Sequence, residues 1–305
     1  MKKLVLGTIL CVSMFFCAFS ADAQTVTRSN EFSFFNKIEA SYNYKIIVKE
    51  GSYNRVEWTV DTILAELVDI YQQGSTLYVK FKEKDLTKEI KKHYKGKNAP
   101  VPTLDVVVFT PSLDGLDISD NVLVEATDLK TSDQNLSVVM RNNSRLNNLK
   151  TEASNITLEA SGEAVLNVSA QSTSSCITVK GDKKSEINLN LNSEKLYATA
   201  SGSADIYITG NAAHIEASLE DKSKMVLRSG SAEDLLLTSK NSSELDASSY
   251  IIGNAGLSMA GSKAIVKVNK ILKLNLKGGS VVNYLDNPAI EIVNIEKSSV
   301  SPLIK

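Results

Sequence analysis

Three aspartates, Asp114, Asp117 and Asp120, lie within a stretch of seven residues and could form an acidic cluster with catalytic chemistry. Glycosidases use two carboxylates held a fixed distance apart beside a sugar. Asp114 and Asp120 fall at turn positions, where aspartate is favoured because its side chain bonds the local backbone. The order of residues does not show which acidic side chains share a face. The residues therefore favour a structural role, and no catalytic residue is assigned.

The histidines and cysteines give no metal or nucleophile pattern. His93 and His214 are the only histidines, and neither has cysteine or acidic residues at ligand spacing. No calcium-binding repeat, phosphate loop or nucleophile elbow is present. Cys11 and Cys17 lie in the apolar N-terminal segment, so Cys176 is the only cysteine beyond it. We predict an inert corner thiol at Cys176, the alternatives being an intermolecular disulfide or a reactive thiol, and we predict no cofactor.

A repeated sequence motif defines the secondary-structure elements of most of the chain. Ala-Ser-Gly-x-Ala-x-apolar-x-apolar occurs at 160–168 and again at 200–208. Degenerate copies recur about every 20 residues, beginning at Ser144, Ser185, Ser223, Ser243, Ala264 and Ser280. A period of this length is typical of a solenoid. Each copy reads as a turn, in which Gly or Asn supplies backbone freedom, followed by a short strand with alternate residues buried.

Each period also contains a second short apolar strand, such as 156–158, 196–198 or 235–237. We therefore predict an all-β fold, a parallel β-solenoid of about ten rungs over residues 111–305. No proline occurs between positions 112 and 287, where a missing N–H would interrupt the ladder. Six inward positions are predicted to form buried columns: Leu166, Val168, Ile206, Ile208, Met225 and Leu227.

Residues 24–110 differ in amino-acid composition from the repeats and are predicted to form a β-rich capping layer over the solenoid's first rung. Trp58 and most of the aromatic residues that follow position 23 lie here, with strand patterns at 44–48, 56–60, 77–81 and 104–109. Residues 82–98 form a lysine-rich excursion, predicted as a short helix with Leu86, Ile90 and Tyr94 packed inward and Asp85 as its cap. A solvated excursion is preferred over a basic patch for anionic surfaces.

Residues 1–23 read as a secretory signal peptide, with two lysines, an apolar run and an Ala-Asp-Ala site that predicts cleavage before Gln24. A retained membrane anchor is the alternative, and no other stretch is apolar enough to span a bilayer. Removing this segment changes 34 basic and 35 acidic residues to 32 and 34, a net charge of −2. Nucleic acid is therefore not expected as a partner. We expect a periplasmic, cell-surface or secreted location.

The order of elements resembles a known family. The residues that carry the likeness are Phe35–Ala40, Tyr44–Val48, Val56–Val60, Gly74–Val79, Val106–Leu116 and the Ser-Gly-x-Ala turns. Together they resemble the head GIN-domain family, labelled putative auto-transporter adhesins, over nearly all of the chain beyond residue 23. The lysine-rich excursion and turns without glycine, such as 142–144 and 241–243, depart from that pattern. The resemblance implies surface adhesion and supplies no catalytic residues.

These observations predict a non-catalytic exported or envelope-associated binding module that presents polar faces to a glycan or a protein. The alternatives are a polysaccharide-acting lyase or hydrolase on the same scaffold, and a purely structural envelope protein. The chain ends within its repeat pattern, so the last rung is either blunted or paired with another copy end to end. Pro302 and the terminal lysines favour a blunted monomer.

Overall fold

The computed structural model describes residues 24–171 and 175–303, so the predicted signal peptide lies outside the described residues. Within that part the chain is almost entirely β-structure with one short α-helix, α1 (Lys88–His93). The strands are β1 (Thr25–Glu31), β2 (Lys37–Ala40), β3 (Lys45–Glu50), β4 (Arg55–Asp61), β5 (Val68–Gln73), β6 (Thr76–Phe81), β7 (Leu104–Thr110), β8 (Gly115–Ile118), β9 (Leu123–Thr127), β10 (Asn135–Asn142), β11 (Arg145–Thr151), β12 (Asn155–Gly162), β13 (Val165–Gln171), β14 (Cys176–Gly181), β15 (Glu186–Ala200), β16 (Asp205–Leu219), β17 (Lys224–Lys240), β18 (Glu244–Ala260), β19 (Lys263–Lys277), β20 (Val281–Leu285), β21 (Ala289–Ile295) and β22 (Ser299–Pro302).

The strands stack in two parallel columns, which we call face A and face B. Face A contains β6, β2, β8, β10, β12, β14, the second halves of β15 to β19, and β21; face B contains β7, β3, β9, β11, β13, the first halves of β15 to β19, β20 and β22. Each strand pairs with its equivalent one repeat away, as Leu196 does with Ile215. The predicted parallel β-solenoid is confirmed, with about nine turns.

The two corners of each turn differ, which the repeat did not reveal. Strands β15 to β19 run through the corner from face B to face A without a break, whereas a tight turn leads from face A back to face B. The repeated Ala-Ser-Gly-x-Ala motif forms this tight turn, and Gly202 in the motif has φ +68°. In turns without glycine, Asn142, Lys183 and Asp221 hold the same left-handed conformation, at φ 60° to 62°. The turn therefore tolerates side chains, although left-handed backbone is costly for them.

The core consists of stacked apolar columns between the two faces. All six residues predicted to point inward are buried, with exposures of 0–5%. Leu166 pairs in register with Ile187, which pairs with Ile206, and that residue pairs with Met225. The small residue after each tight turn is buried too, as Ala204 is at 0%.

The parallel pairing extends into residues 24–110. Strands β2 and β3 contact β8 and β9 on one side and β6 and β7 on the other. Antiparallel strands then follow, with β5 on β6, β4 on β7 and β1 on β4. Large rings pack in this region, where Tyr42 stacks on Phe81 at 4.1 Å between centroids. The antiparallel strands thus cover the N-terminal end of both faces.

Helix α1 lies inside the predicted excursion, but the predicted cap was wrong. The N-cap is Thr87, whose hydroxyl accepts a hydrogen bond from the Ile90 amide at 3.3 Å. Asp85 instead belongs to a 3-10 turn, Glu83–Asp85, and the chain becomes extended at Leu86 before the helix begins. Leu86, Ile90 and Tyr94 pack against the core as predicted. The seven lysines of the excursion are all exposed.

The C-terminal end leaves its apolar cross-section uncovered within the described residues. Ile290 and Ile292 of β21 are 40% and 63% exposed, whereas their partners in β19, Leu272 and Leu274, are at 0%. The pairing of β19 with β21 contains a register shift, and Pro302 ends β22. Irregular edges and proline both hinder the addition of another strand.

Candidate functional site

The three aspartates of the sequence motif each have a structural partner. Asp114 accepts a hydrogen bond from the Asn36 amide, and Asp117 forms an ion pair with Arg141. Asp120 has φ +64° and accepts from the Tyr42 backbone N–H at 3.3 Å and from an asparagine amide at 3.0 Å. These contacts hold the first turns of the solenoid together, which accounts for aspartate at all three positions.

The two histidines lie far apart in the fold. His93 ends α1, with its ring edge-on to Tyr94 at 4.8 Å. His214 lies on face A, where its Nδ1 is 2.9 Å from Oδ2 of Asp234. This pair escaped sequence analysis because its members are one repeat apart. Within residues 24–171 and 175–303, no group of three or more histidine, cysteine, aspartate or glutamate side chains is placed to hold a metal ion.

Cys176 is half-buried and forms no disulfide in the described structure. It begins β14 and lies in register between Asn155 and Lys195 on face A. The next residue, Ile177, is fully buried, so Cys176 faces outward as expected from alternation along a strand. The thiol therefore belongs to the same outer surface as the rows described next.

The outer surface of face A carries three rows of side chains that follow the solenoid axis. The parallel register aligns equivalent positions of successive turns about 4.8 Å apart. The central row is Tyr197, Glu216, Leu236, Gly256 and Lys273. On one side lies a hydroxyl row of Thr199, Ser218, Thr238 and Ser258, and on the other a charged row of Lys195, His214, Asp234 and Asn254.

The short hydroxyl row and the taller central row together form a shallow trough. Its volume is about 650 Å³, and its lining includes Tyr197, Thr238, Lys273 and Asn275. Tyr197 is 40% exposed and Leu236 is 58% exposed, so both leave apolar surface open to solvent. These two residues lie in the one stretch of the central row that combines a ring, an aliphatic side chain and charges.

A second trough of about 320 Å³ lies on the other side of the central row. Asp234 is its best-connected residue, because its carboxylate contacts His214 and also accepts from the Asn254 amide at 3.0 Å. Both troughs are lined by Gly256, where the central row has no side chain. A Cβ at that position would lie 3.0 Å from Leu236 Cδ2, so the leucine leans over the gap.

This arrangement provides recognition chemistry. An exposed ring and a leucine offer apolar contact, and the flanking rows offer hydroxyl, amide and charged groups at a regular spacing. Such a mixture of apolar surface and a few convergent polar groups is typical of ligand sites. Asp234 is already engaged by two neighbours, which makes it a fixed acceptor. Tyr197 is one of four aromatic residues beyond position 110, and the sequence alone does not place it in a row.

Face B carries a different outer surface. Asn167 donates from its amide to Asn147 at 3.0 Å, and Asn147 donates to Glu125 at 2.7 Å, so amides stack from turn to turn. Farther along, the Arg228 guanidinium lies 4.1 Å from the centroid of the Tyr207 ring. The ring is thereby covered, and face B offers less exposed aromatic surface than face A.

Comparison with known proteins agrees with this architecture. The family model described as "putative auto-transporter adhesin, head GIN domain" matches residues 34–184 and 175–288. A crystal structure of a putative adhesin from Parabacteroides distasonis has a TM-score of 0.52 and 16% identity, covering 92% of this chain and 98% of that one. At these identities the likeness concerns the fold alone.

Two further solved structures are similar with lower scores. A putative adhesin from Parabacteroides merdae has a TM-score of 0.46 and 20% identity, covering 93% of this chain and 98% of that one. A putative lipid binding protein from Parabacteroides distasonis has a TM-score of 0.46 and 14% identity, with the same coverage of each chain. The comparison with curated proteins gave no match. On the family match, which spans most of the chain, the protein belongs to the head GIN-domain family of putative auto-transporter adhesins.

Proposed function

We propose that the protein is an exported, non-catalytic binding module that uses the outer surface of face A to bind a glycan. The observation that carries the proposal is the exposed ring of Tyr197 beside the hydroxyl and charged rows. A pyranose presents an apolar C–H face and a rim of hydroxyls, and both have partners here. Membership of an adhesin family supports a binding role at the cell envelope.

Export is part of the same proposal and is supported by the family and by the N-terminal sequence. In the described residues, no helix has the length and apolar character needed to cross a membrane. Within residues 24–171 and 175–303 the one cysteine, Cys176, is half-buried and forms no disulfide, which is compatible with an envelope protein stabilised by stacking. The ligand would then be a surface or matrix polysaccharide rather than a cytoplasmic metabolite.

The proposal is tested with a glycan array and an assay for release of reducing sugar, using the purified chain and two variants. Tyr197→Ala removes the exposed ring, and Tyr53→Ala is the matched control because Tyr53 is 53% exposed and lies away from face A. We expect binding that Tyr197→Ala weakens at least tenfold and Tyr53→Ala leaves unchanged, with no sugar released.

Other outcomes favour the alternatives. Release of sugar by the unmodified chain would support the polysaccharide-acting enzyme and overturn a non-catalytic role. Binding that is insensitive to Tyr197→Ala would move the site away from face A. Absence of both binding and release over a broad array would favour a structural envelope protein or a protein ligand.

A further inference from the structure

Asp61, at the end of β4, has a buried carboxylate that is only half satisfied. The residue is 2% exposed. Its Oδ2 accepts hydrogen bonds from the Tyr94 hydroxyl at 2.6 Å and from the Thr103 backbone N–H at 3.3 Å. Its Oδ1 is shielded from solvent and has no hydrogen-bond partner. A buried carboxylate oxygen without a donor is costly, so this atom calls for a group that the described residues do not supply.

The carboxylate lies in the wall of a cleft of about 740 Å³ between α1 and the adjoining ends of β1 and β4. The cleft is lined by Gln24, Asp61, Thr62, Ile63, Glu89, Ile90, His93, Tyr94, Asn98 and Pro100. Glu89, His93 and Tyr94 are therefore the other titratable groups that face it. The lining thus contains two carboxylates, those of Asp61 and Glu89, and no lysine or arginine to match them.

Gln24 is held at the rim of the same cleft by its backbone. Its carbonyl oxygen accepts hydrogen bonds from the Thr62 N–H at 2.8 Å and from the Thr62 hydroxyl at 2.5 Å. In the antiparallel pairing of β1 with β4, the next residue, Thr25, is the direct partner of Asp61. Gln24 therefore lies one residue before the strand position opposite Asp61, in the lining of the same cleft.

We propose that Asp61 is the counter-ion of a processed N-terminus, the α-ammonium of Gln24. Hydrolysis of the Ala23–Gln24 peptide bond by the host's signal peptidase adds water, leaves Ala23 with a carboxylate and leaves Gln24 with an amine. That amine takes up a proton at neutral pH, since an α-amino group ordinarily has a pKa of about 8. The new ammonium supplies the donor that Oδ1 lacks. Processing thereby completes the hydrogen bonding of Asp61, and an unprocessed chain leaves it incomplete.

The inference rests on the export proposed above. Its test uses the full precursor, expressed in a Gram-negative host and recovered from the periplasm, with the N-terminus identified by intact mass. The comparison protein carries Gly-Ser inserted between Ala23 and Gln24, which moves the ammonium two residues away without altering Asp61 or Tyr94. We expect cleavage before Gln24 and a Tm about 2–4 °C higher for the uninserted protein at pH 6.

The pH dependence gives the decisive readout. The charged amine is the form that Asp61 stabilises, so its contribution is complete below pH 8 and is lost as the pH rises past the raised pKa of the folded state. The Tm difference should therefore disappear by about pH 10. Asp61→Asn should abolish the difference at pH 6, whereas Asp105→Asn, at an exposed carboxylate of β7, should preserve it. A cyclised Gln24, recognised by loss of ammonia, should behave like the inserted protein.

Failure of this inference is distinguishable from failure of export. Equal Tm values for the two processed proteins at pH 6, or a difference that persists in Asp61→Asn or at pH 10, would overturn the counter-ion role while export stands. Cleavage at a different bond would overturn it as well. A precursor that stays in the cytoplasm would overturn the proposed export together with the inference. The insertion comparison remains valid even if Asp61→Asn does not fold.

Discussion

The continuous corner between face B and face A has no room for a side chain at Gly230, and this allows a quantitative test of the fold. Gly230 has φ +130°, and a Cβ there would lie 1.8 Å from the Gly210 carbonyl oxygen and 2.9 Å from Tyr250 Cε2. Gly279 is a matched control, because it has φ +82° and a Cβ there would meet nothing within 4 Å. Both substitutions place a side chain on backbone of positive φ, and only Gly230→Ala also brings that side chain against neighbouring atoms.

The expected loss of unfolding free energy follows from these contacts. Left-handed backbone costs a residue with a side chain about 1–2 kcal/mol, and alanine regains about 0.4–1 kcal/mol by restricting the unfolded chain. Gly279→Ala should therefore cost about 1 kcal/mol. Gly230→Ala must also displace the Gly210 carbonyl by more than 1 Å to reach an ordinary contact. Losing a ladder hydrogen bond and disturbing Tyr250 should bring the total to roughly 3–5 kcal/mol.

Urea denaturation followed by far-UV circular dichroism measures both variants. The slope of the transition must match that of the unmodified chain for the free energies to be comparable. Equal losses for Gly230→Ala and Gly279→Ala would refute the reasoning, because they would mean that the corner opens without cost. A local opening confined to a few turns would appear as a changed slope, since repeat proteins can lose cooperativity.

Three further predictions concern the core, a buried phenol and the open end. Ile206→Asp should cost roughly 4 kcal/mol or more in the same denaturation assay, because it places an unpaired charge in a fully buried column; exposure of the aspartate without loss of stability would contradict the stacked core. Burial raises the pKa of Tyr250 to about 12, and its hydroxyl donates to the Ser231 carbonyl at 2.9 Å. The stability that neutral Tyr250 contributes is present below pH 10 and is lost as the pH rises from about 10 to 12. Burial also raises the pKa of Tyr44 and Tyr94, so ultraviolet titration should show late ionisations whose amplitude falls by one tyrosine in Tyr250→Phe, and an unchanged amplitude would count against the assignment. Light scattering should find a monomer, since Pro302 and an irregular β21 blunt the uncovered end; a dimer that Val300→Lys with Ile304→Lys dissociates would show that the end is paired.

Much of the fold could be predicted because equivalent positions of successive repeats pair with one another, which fixes the register of the strands. A period of about 20 residues assigns the strands, the corners and the inward side chains in every repeat. Stacking the repeats then predicts the buried columns. Helix α1 illustrates what the pattern misses, because the sequence favoured Asp85 as the cap and the structure uses Thr87. Because the backbone is extended at Leu86, the helix begins only after Thr87. The left-handed Lys183 and Asp221 are likewise invisible to a search for glycine or asparagine, because tertiary stacking holds them there.

The candidate site was harder to predict than the fold, and the reason is physical. A ladder's register is imposed by its inward side chains, since a slip by one residue would bring polar groups into the core. Outward side chains are free of that constraint, so Tyr197, Leu236 and the His214–Asp234 pair appear as isolated residues until they are placed one turn apart. The proposed binding and the stability of the fold should therefore depend on different residues. Substitutions in the outward rows should change binding with little effect on stability, whereas substitutions in the inward columns should change stability at every turn they contact.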